Sequence, residues 1–502
     1  MGVKSFLAKL LASYITGQVK KEAANAIADQ EKWFTQLMKV VAKTKFGKDH
    51  KLTQNTTYTE FKNQVPIRDY EGLKSYFDAM VEGKPDVCWK GKPIYFAKTS
   101  GTTSGVKYIP ISKESIQFHI NSARNALLCY IAETGNSDFV EGKLIFLSGS
   151  PTLDIVNGIQ TGRLSGIVNH HVPQYLRKNQ MPSYTTNCIE DWEKKVDTIV
   201  NETIDKNMTL ISGIPPWVQM YFDKLSEKRN GKPIKDIFPN FNLFVYGGVN
   251  FEPYRAKIEQ SIGKKIDTIE TYPASEGFFA YQDSQSETGL LLLTNNGIFY
   301  EFIPVAEYYQ ENPKRISLSE VQLNTNYVLI LNTNAGLFGY NIGDTIKFTS
   351  IKPYRIVVTG RVKHFISAFG EHVIGEEVEF ALLQTAKKYA IEITEFTVAP
   401  QVTPSNGELP YHEWLIEFEN EPNNLKQFAS EVDEALQQKN IYYKDLIEGN
   451  ILQPLKITSL VKNTFINYMK AEGKLGGQNK VPRLSNDRKI AEGLLTLSTN
   501  DH

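Results

Sequence analysis

The chain has 502 residues, 41% of them hydrophobic and 11% aromatic, which excludes a disordered polypeptide and exceeds what one core of ordinary size takes up. Lys+Arg and Asp+Glu both number 56, so no basic excess points to a nucleic-acid partner. Cys88, Cys129 and Cys188 are too few and too widely spaced for a disulfide framework or a paired-thiolate metal site, and no apolar run nears the ~20 residues of a membrane span; the chain reads as cytoplasmic with no membrane partner.

Residues 1–18 are mildly apolar around Phe6-Leu7 and Leu10-Leu11 and read as an amphipathic helix lying on the body of the protein. Over residues 18–45, Ile27, Phe34, Leu37 and Val41 recur at helical spacing, which predicts one long helix. A short strand is expected at 94–97, a loop at 100–105, extended chain at Ile109-Pro110 and a helix at 114–134. Three apolar runs then each stop at small residues: 144–147 before Ser148-Gly149-Ser150, 210–211 before Ser212-Gly213, and 243–246 before Gly247-Gly248. Helical stretches such as 252–261 lie between them. That alternation predicts a largely parallel sheet, whose ligands sit beyond the carboxyl ends of its strands.

From 289 to 349 short strands follow one another (291–293, 298–303, 327–331, 345–348), as in an antiparallel sheet or partial barrel. After Gly360 come a helix at 376–389, strands at 396–399 and 414–418, and a helix at 425–436, a pattern suited to a small α+β domain. The expected fold class is α/β. A large domain, 1–359, carries the parallel βαβ sheet and a β-rich subdomain, and a small α+β domain covers 360–502.

Five motifs carry candidate chemistry. Thr99-Ser100-Gly101-Thr102-Thr103-Ser104-Gly105-Val106-Lys107 is rich in hydroxyls and glycine, so backbone can approach closely and amides and hydroxyls can bond phosphate oxygens, with Lys107 adding positive charge. Three residues rather than four separate its glycines, so it is not a G-x-x-x-x-G-K loop. Thr271-Tyr272-Pro273-Ala274-Ser275-Glu276-Gly277 sets a carboxylate among small residues at a strand end, a setting for Mg²⁺ shared with substrate phosphates. In Tyr340-Asn341-Ile342-Gly343-Asp344 an aspartate after glycine at a strand end can accept two hydroxyl hydrogen bonds, as from a ribose. Gly360-Arg361 and Phe369-Gly370-Glu371 flank the expected junction. Gly476-Gly477-Gln478-Asn479-Lys480-Val481-Pro482-Arg483 holds a lysine in a glycine-rich stretch. Taken singly, each also reads as an ordinary turn or a solvated tail.

The order and spacing of the five together resemble the adenylate-forming superfamily of acyl-CoA synthetases, peptide-synthetase adenylation domains and luciferases. Within it the sequence resembles the Gretchen Hagen (auxin-responsive promoter) family of acyl-acid amido synthetases. Gly247-Gly248 with Pro253-Tyr254-Arg255, and residues 360–379, add to the match, which runs from the helix before Phe46-Gly47 to Arg483. The resemblance implies an ATP-dependent ligase using Mg²⁺. It would adenylate a small-molecule carboxylic acid, release pyrophosphate and pass the acyl group to an amine, an amino acid being the expected acceptor.

By motif, Ser100, Gly101, Thr102, Thr103, Ser104 and Gly105 would lie along the ATP phosphates with Lys107 nearby. Tyr272 would lie near the adenine and Ser275 near the nucleotide. Glu276 would hold Mg²⁺, Asp344 the ribose hydroxyls, and Arg361 would belong to a hinge. Lys480 would bridge the reacting carboxylate and the α-phosphate, making Lys480 and Glu276 the catalytic pair. The superfamily also implies that the small domain acts as a lid rotating at Gly360-Arg361. The sequence departs from the superfamily's Gly-Arg-x-x-Asp pattern at His364, and His372 also flanks the junction. Ser148, Trp217 and Phe302, at or near strand ends or in the second sheet, are the acyl-pocket candidates. Two further readings stay open: an acyl-CoA synthetase using the same adenylate, and a nucleotide-binding protein without turnover. The second has no chemical need for Glu276, Asp344 and Lys480 together.

Overall fold

A computed structural model describes residues 2–100, 106–172, 177–249, 251–308, 310, 312–362, 365–366, 371, 373–404, 408–476 and 480–499. The chain forms two compact units, residues 1–249 with 261–358 and residues 250–260 with 359–502.

The first unit opens on two helices, Val3–Ala24 and Ala26–Val41, where the hydrophobic period had predicted one helix from residue 18. Asn25, at φ −102° and ψ 18°, interrupts them while its N–H still bonds the Lys21 and Glu22 carbonyls. Asparagine competes locally with the helical ladder and favours such ends, a property that apolar spacing does not register. The helix Lys113–Thr134 is delimited as its sequence demands: Ser112 and Ser115 form a reciprocal capping box, and Gly135 closes the other end at φ 71°.

Among the described residues this unit is built on an 11-stranded sheet. Lys143–Phe146, Met208–Ser212, Leu243–Gly247 and Asp267–Ala274 run parallel, the predicted core of the fold. The strand Met208–Ser212 buries nearly every residue, as expected of a strand covered on both faces. The sheet continues antiparallel through Gly277–Tyr281, Leu290–Leu292 and Tyr354–Arg361. Tyr340–Ile351, Asn326–Thr333 and Ile298–Pro304 follow, antiparallel to one another, and Gln180–Met181 forms the opposite edge, parallel to Lys143–Phe146. A separate four-stranded sheet contains Tyr95–Ser100 and Val106–Ile111, paired so that Ser100 faces Val106.

The second unit holds a three-stranded sheet, Ile393–Gln401, Tyr411–Phe418 and Lys456–Leu460. Its middle strand alternates faces with period 2. Trp414, Ile416 and Phe418 join the core that contains Val378, Leu382, Phe428 and Leu436, from the helices Gly375–Tyr389 and Leu425–Lys439. Leu415 joins the opposite core with Phe465, Tyr468 and Leu494. His412 and Glu371, both fully buried, meet at 2.8 Å. The three cysteines are free thiols, two of them buried. Among the described residues no helix is long and apolar enough to cross a membrane.

One buried ion pair ties the antiparallel end of the first unit to its helices. Arg315 donates to both oxygens of Glu301, at 3.0 and 2.6 Å, and to the Val65 carbonyl at 2.5 Å. Asn332 donates to the same carboxylate at 2.9 Å. Glu301 is fully buried, so removing the guanidinium strands a charge. Arg315→Met is expected to lower stability by about 3–5 kcal/mol in urea unfolding, while Glu301→Leu with Arg315→Met recovers most of it. A single variant as stable as the wild type would refute the ion pair's role.

Candidate active site

A loop held by its neighbours follows the carboxyl end of the parallel strand Lys143–Phe146. After Lys143–Phe146 the chain passes through Ser148, Gly149, Ser150 and Pro151. The Ser148 carbonyl accepts a hydrogen bond from Lys195 Nζ at 2.9 Å, and His170 Nε2 meets the Pro151 carbonyl at 2.8 Å. Gly149 leaves room for Arg163: a Cβ there would stand 2.6 Å from the arginine Cδ. A short loop held by two hydrogen bonds and packed closely on Arg163 can wall a ligand site.

Lys195 is a residue that motif reading missed. It belongs to the helix Trp192–Thr203 and occupies the same stripe as Trp192, Val196 and Ile199, where spacing calls for an apolar side chain. That misplaced charge was the available signal. The side chain is 1% exposed, and its ammonium also donates to the Asn187 carbonyl at 2.7 Å. Burial foremost lowers its pKa from 10.5 to about 8, opposed by Cys188 and helped by the smaller effect of the Arg163 charge.

A second group gathers where the sheet changes direction. Asp267–Ala274 and Gly277–Tyr281 form a hairpin with Ser275 and Glu276 at its tip, Ala274 pairing with Gly277. Asp344 was expected at a strand end. It lies instead inside the strand Tyr340–Ile351, on a bulge: Asn341 pairs with Ile330 and Thr345 with Val328, so five residues face three. Gly343 supplies the bulge with φ +87°, and such bulges re-aim side chains. The Tyr272 hydroxyl donates to Asp344 Oδ2 at 2.6 Å, and the Tyr340 hydroxyl donates to Glu276 Oε1 at 3.2 Å. The exchange is reciprocal: each segment gives one tyrosine and, four residues later, one carboxylate. Asp344 is 9% and Tyr272 8% exposed, so that pair sits in a largely dry setting, whereas Glu276 is half-buried.

The structure therefore brings Tyr272, Glu276, Tyr340 and Asp344 together within the first unit, with Ser275 beside them on the hairpin tip. Lys107 lies in the four-stranded sheet with its ammonium 5.4 Å over the Tyr70 ring, and Ser100 ends the partner strand. Gly101, Thr102, Thr103, Ser104 and Gly105 lie outside the described residues, as do His364 and His372. Trp217, in the helix Pro215–Lys228, is buried edge-on to Trp192 at 5.2 Å. Phe302 does not suit an acyl pocket. It is fully buried against Tyr327 and Phe348, at 6.0 and 5.2 Å, and serves the core.

Arg361 and Lys480 belong to the second unit, Arg361 at the end of Tyr354–Arg361 and Lys480 exposed. The chain just beyond Lys480 is anchored. Thr397 donates to the Pro482 carbonyl at 2.7 Å and the Val398 N–H to the Arg483 carbonyl at 2.9 Å. The Arg483 guanidinium pairs with Glu395 and Glu379 and donates to the Tyr254 hydroxyl at 2.5 Å.

Three domain models of one family match the chain in sequence: the GH3 family N-terminal domain over residues 15–180, the central domain over 291–361 and the C-terminal domain over 376–489. The chain belongs to the GH3 family. It is 22% identical over 386 residues to a jasmonoyl–L-amino acid synthetase, JAR4, of Nicotiana attenuata, covering 63% of this chain and 66% of that protein. It is 25% identical over 288 residues to the indole-3-acetic acid-amido synthetase GH3.3 of Arabidopsis thaliana, covering 54% and 48%. The chain thus matches less than two thirds of the length of either protein. Its fold is that of the solved GH3.15 acyl acid amido synthetase, with a TM-score of 0.77 at 16% identity over 96% of this chain and 95% of that one. The expected family and fold class hold.

Lys195 gives this GH3-family chain a pH signature. Below about pH 8 the lysine is charged in both states, and burying the charge costs stability. From about pH 8 toward 10.5 the unfolded chain binds more protons than the folded one, so stability rises with pH. In urea unfolding, the stability of wild type relative to Lys195→Met should climb by roughly 1–3 kcal/mol across that window. A difference that stays flat with pH would refute the buried charge.

Proposed function

We propose that this protein is an acyl-acid amido synthetase: it adenylates a small carboxylic acid with ATP, releases pyrophosphate, and transfers the acyl group to an amino acid with loss of AMP. The observation that carries this reading is the reciprocal pairing of Tyr272 with Asp344 and Tyr340 with Glu276 in a chain of the GH3 family. The two relatives named above carry a jasmonoyl and an indole-3-acetic acid activity in their names, which supports an acid of that size.

A carboxylate attacking the α-phosphorus of ATP brings two anions together, so catalysis consists of positioning and charge stabilisation. In this reading Asp344, held in place by Tyr272, accepts the ribose hydroxyls, since an ionised carboxylate accepts several hydrogen bonds. The strand ends at Ser100 and Lys107 flank the triphosphate, with Ser275 beside the nucleotide. Ser148 and Trp217 lie toward the acyl group. Lys480 supplies positive charge to the carboxylate and α-phosphate, and Arg361 belongs to the hinge of a C-terminal lid, residues 360–502.

Among the described residues no three His, Cys, Asp or Glu side chains cluster as a metal cage. Glu276, a single half-buried carboxylate, fits Mg²⁺, which is commonly held by one or two carboxylates plus substrate phosphates. When bound there, Mg²⁺ neutralises phosphate charge.

A pyrophosphate-release screen with ATP, Mg²⁺ and a panel of carboxylic acids tests the reading, with amino acids or coenzyme A as second substrate. Amide formation supports it; a thioester product assigns the acyl-CoA synthetase alternative, and ATP binding without pyrophosphate release defeats both. Lys480→Ala should lower adenylation on the order of 10²–10³-fold while ATP binding survives. Tyr272→Phe should raise the KM for ATP on the order of tenfold with a smaller change in kcat, since it removes a hydrogen bond to a buried charge. An unchanged KM would detach Asp344 from the nucleotide.

A further inference from the structure

The helix Val3–Ala24 has two apolar faces, and only one is used. Ala12, Ile15 and Val19 pack into the core with Ala126, Tyr130 and Phe139. Ser5, on the same side, meets Ser137 Oγ at 2.5 Å and donates its N–H to Glu141 at 3.0 Å. On the other side Phe6, Leu7, Leu10, Leu11 and Tyr14 stand 55, 57, 57, 46 and 64% exposed. At 100° per residue these five fall within an arc of roughly 140°. Large apolar side chains scattered singly need no explanation, but five on one stripe do.

The charge around the stripe selects its partner. Lys4 and Lys9 rim its two edges, and Lys20 and Lys21 follow at the carboxyl end of the helix. Residues 1–21 contain no aspartate or glutamate. The helix has one acid, Glu22 in its last turn, which accepts a hydrogen bond from Asn295 Nδ2 at 3.1 Å, against four lysines. An apolar stripe with a net basic rim is the pattern of a helix that lies in the plane of an anionic bilayer, with leucine and aromatic side chains in the acyl boundary and ammonium groups at the headgroups. A second copy fits less well. Pairing two such stripes sets net basic rims against each other, and five side chains fall far short of the roughly 20–30 residues a side of a stable interface.

We propose that the Val3–Ala24 helix docks this protein, as a peripheral protein, on anionic lipid surfaces. This is independent of the proposed enzymatic activity and of any membrane span. The test is co-sedimentation of the full chain with vesicles of phosphatidylcholine alone and with about one third phosphatidylserine. Binding to the anionic vesicles only, weakened by salt, supports the proposal. Lys4→Glu with Lys9→Glu, and separately Leu7→Ser with Leu10→Ser, should each reduce partitioning on the order of tenfold or more. All four positions lie outside the core, so thermal unfolding should be unchanged. The proposal is overturned if the protein stays in the supernatant with anionic vesicles, or if both variants sediment like the wild type. It is equally overturned if Leu7→Ser with Leu10→Ser converts an oligomer to a monomer in light scattering, since the stripe then belongs to a second copy.

Discussion

The hydroxyl of Tyr272 reaches the carboxylate of Asp344 although three strands separate theirs in the order of the sheet. The sheet must fold back on itself for this to happen, and the strand carrying Asp344 must break its regular alternation of faces. Gly343 makes that break at φ +87°. A buried carboxylate without a donor would be expelled or protonated, because desolvating an unpaired charge costs several kcal/mol or more. The phenol therefore permits an aspartate at 9% exposure and at the same time fixes where it points. Tyr340 likewise holds the half-buried Glu276. Two segments that are distant in sequence hold each other's acids in place, and the candidate chemistry of the first unit depends on that exchange.

Much of this was legible in the sequence, for identifiable reasons. The parallel strands announced themselves as short apolar runs ending at Ser148-Gly149, Ser212-Gly213 and Gly247-Gly248, because such strands need side chains apolar on both faces and small residues where backbone turns toward a ligand. The strand at 414–418 was legible as an apolar run, but that Leu415 serves a different core from Trp414, Ile416 and Phe418 appears only in the structure. What stayed hidden depended on tertiary context. Nothing local distinguishes the Gly343 bulge from a turn that begins a new strand. Phe302 was equally compatible with a pocket and a core until Tyr327 and Phe348 closed around it. Lys195 lay in plain view as a lysine on an apolar stripe, but its partners are backbone carbonyls, which no side-chain motif reveals.

The two units solve different problems with charge. In the first, carboxylates are immobilised by phenols within a sheet. In the second, Lys480 needs freedom to serve the reaction proposed here, yet a lysine on an unrestrained tail would lose more in ordering than it returned. Arg483 resolves this. Its guanidinium is held by two carboxylates and the Tyr254 hydroxyl, and Leu484 bridges to Val398 in the central sheet of the unit. Three residues span at most about 10 Å, so the anchor at Arg483 confines Lys480 to a short arc while leaving its own side chain exposed. An arginine suits the anchor because its planar fork meets several acceptors at once, whereas the compact, rotatable ammonium of a lysine suits the moving end. In the reaction proposed here, the Lys-x-Pro-Arg run would thus divide one task between two cations, one fixed in the unit and one carried by it.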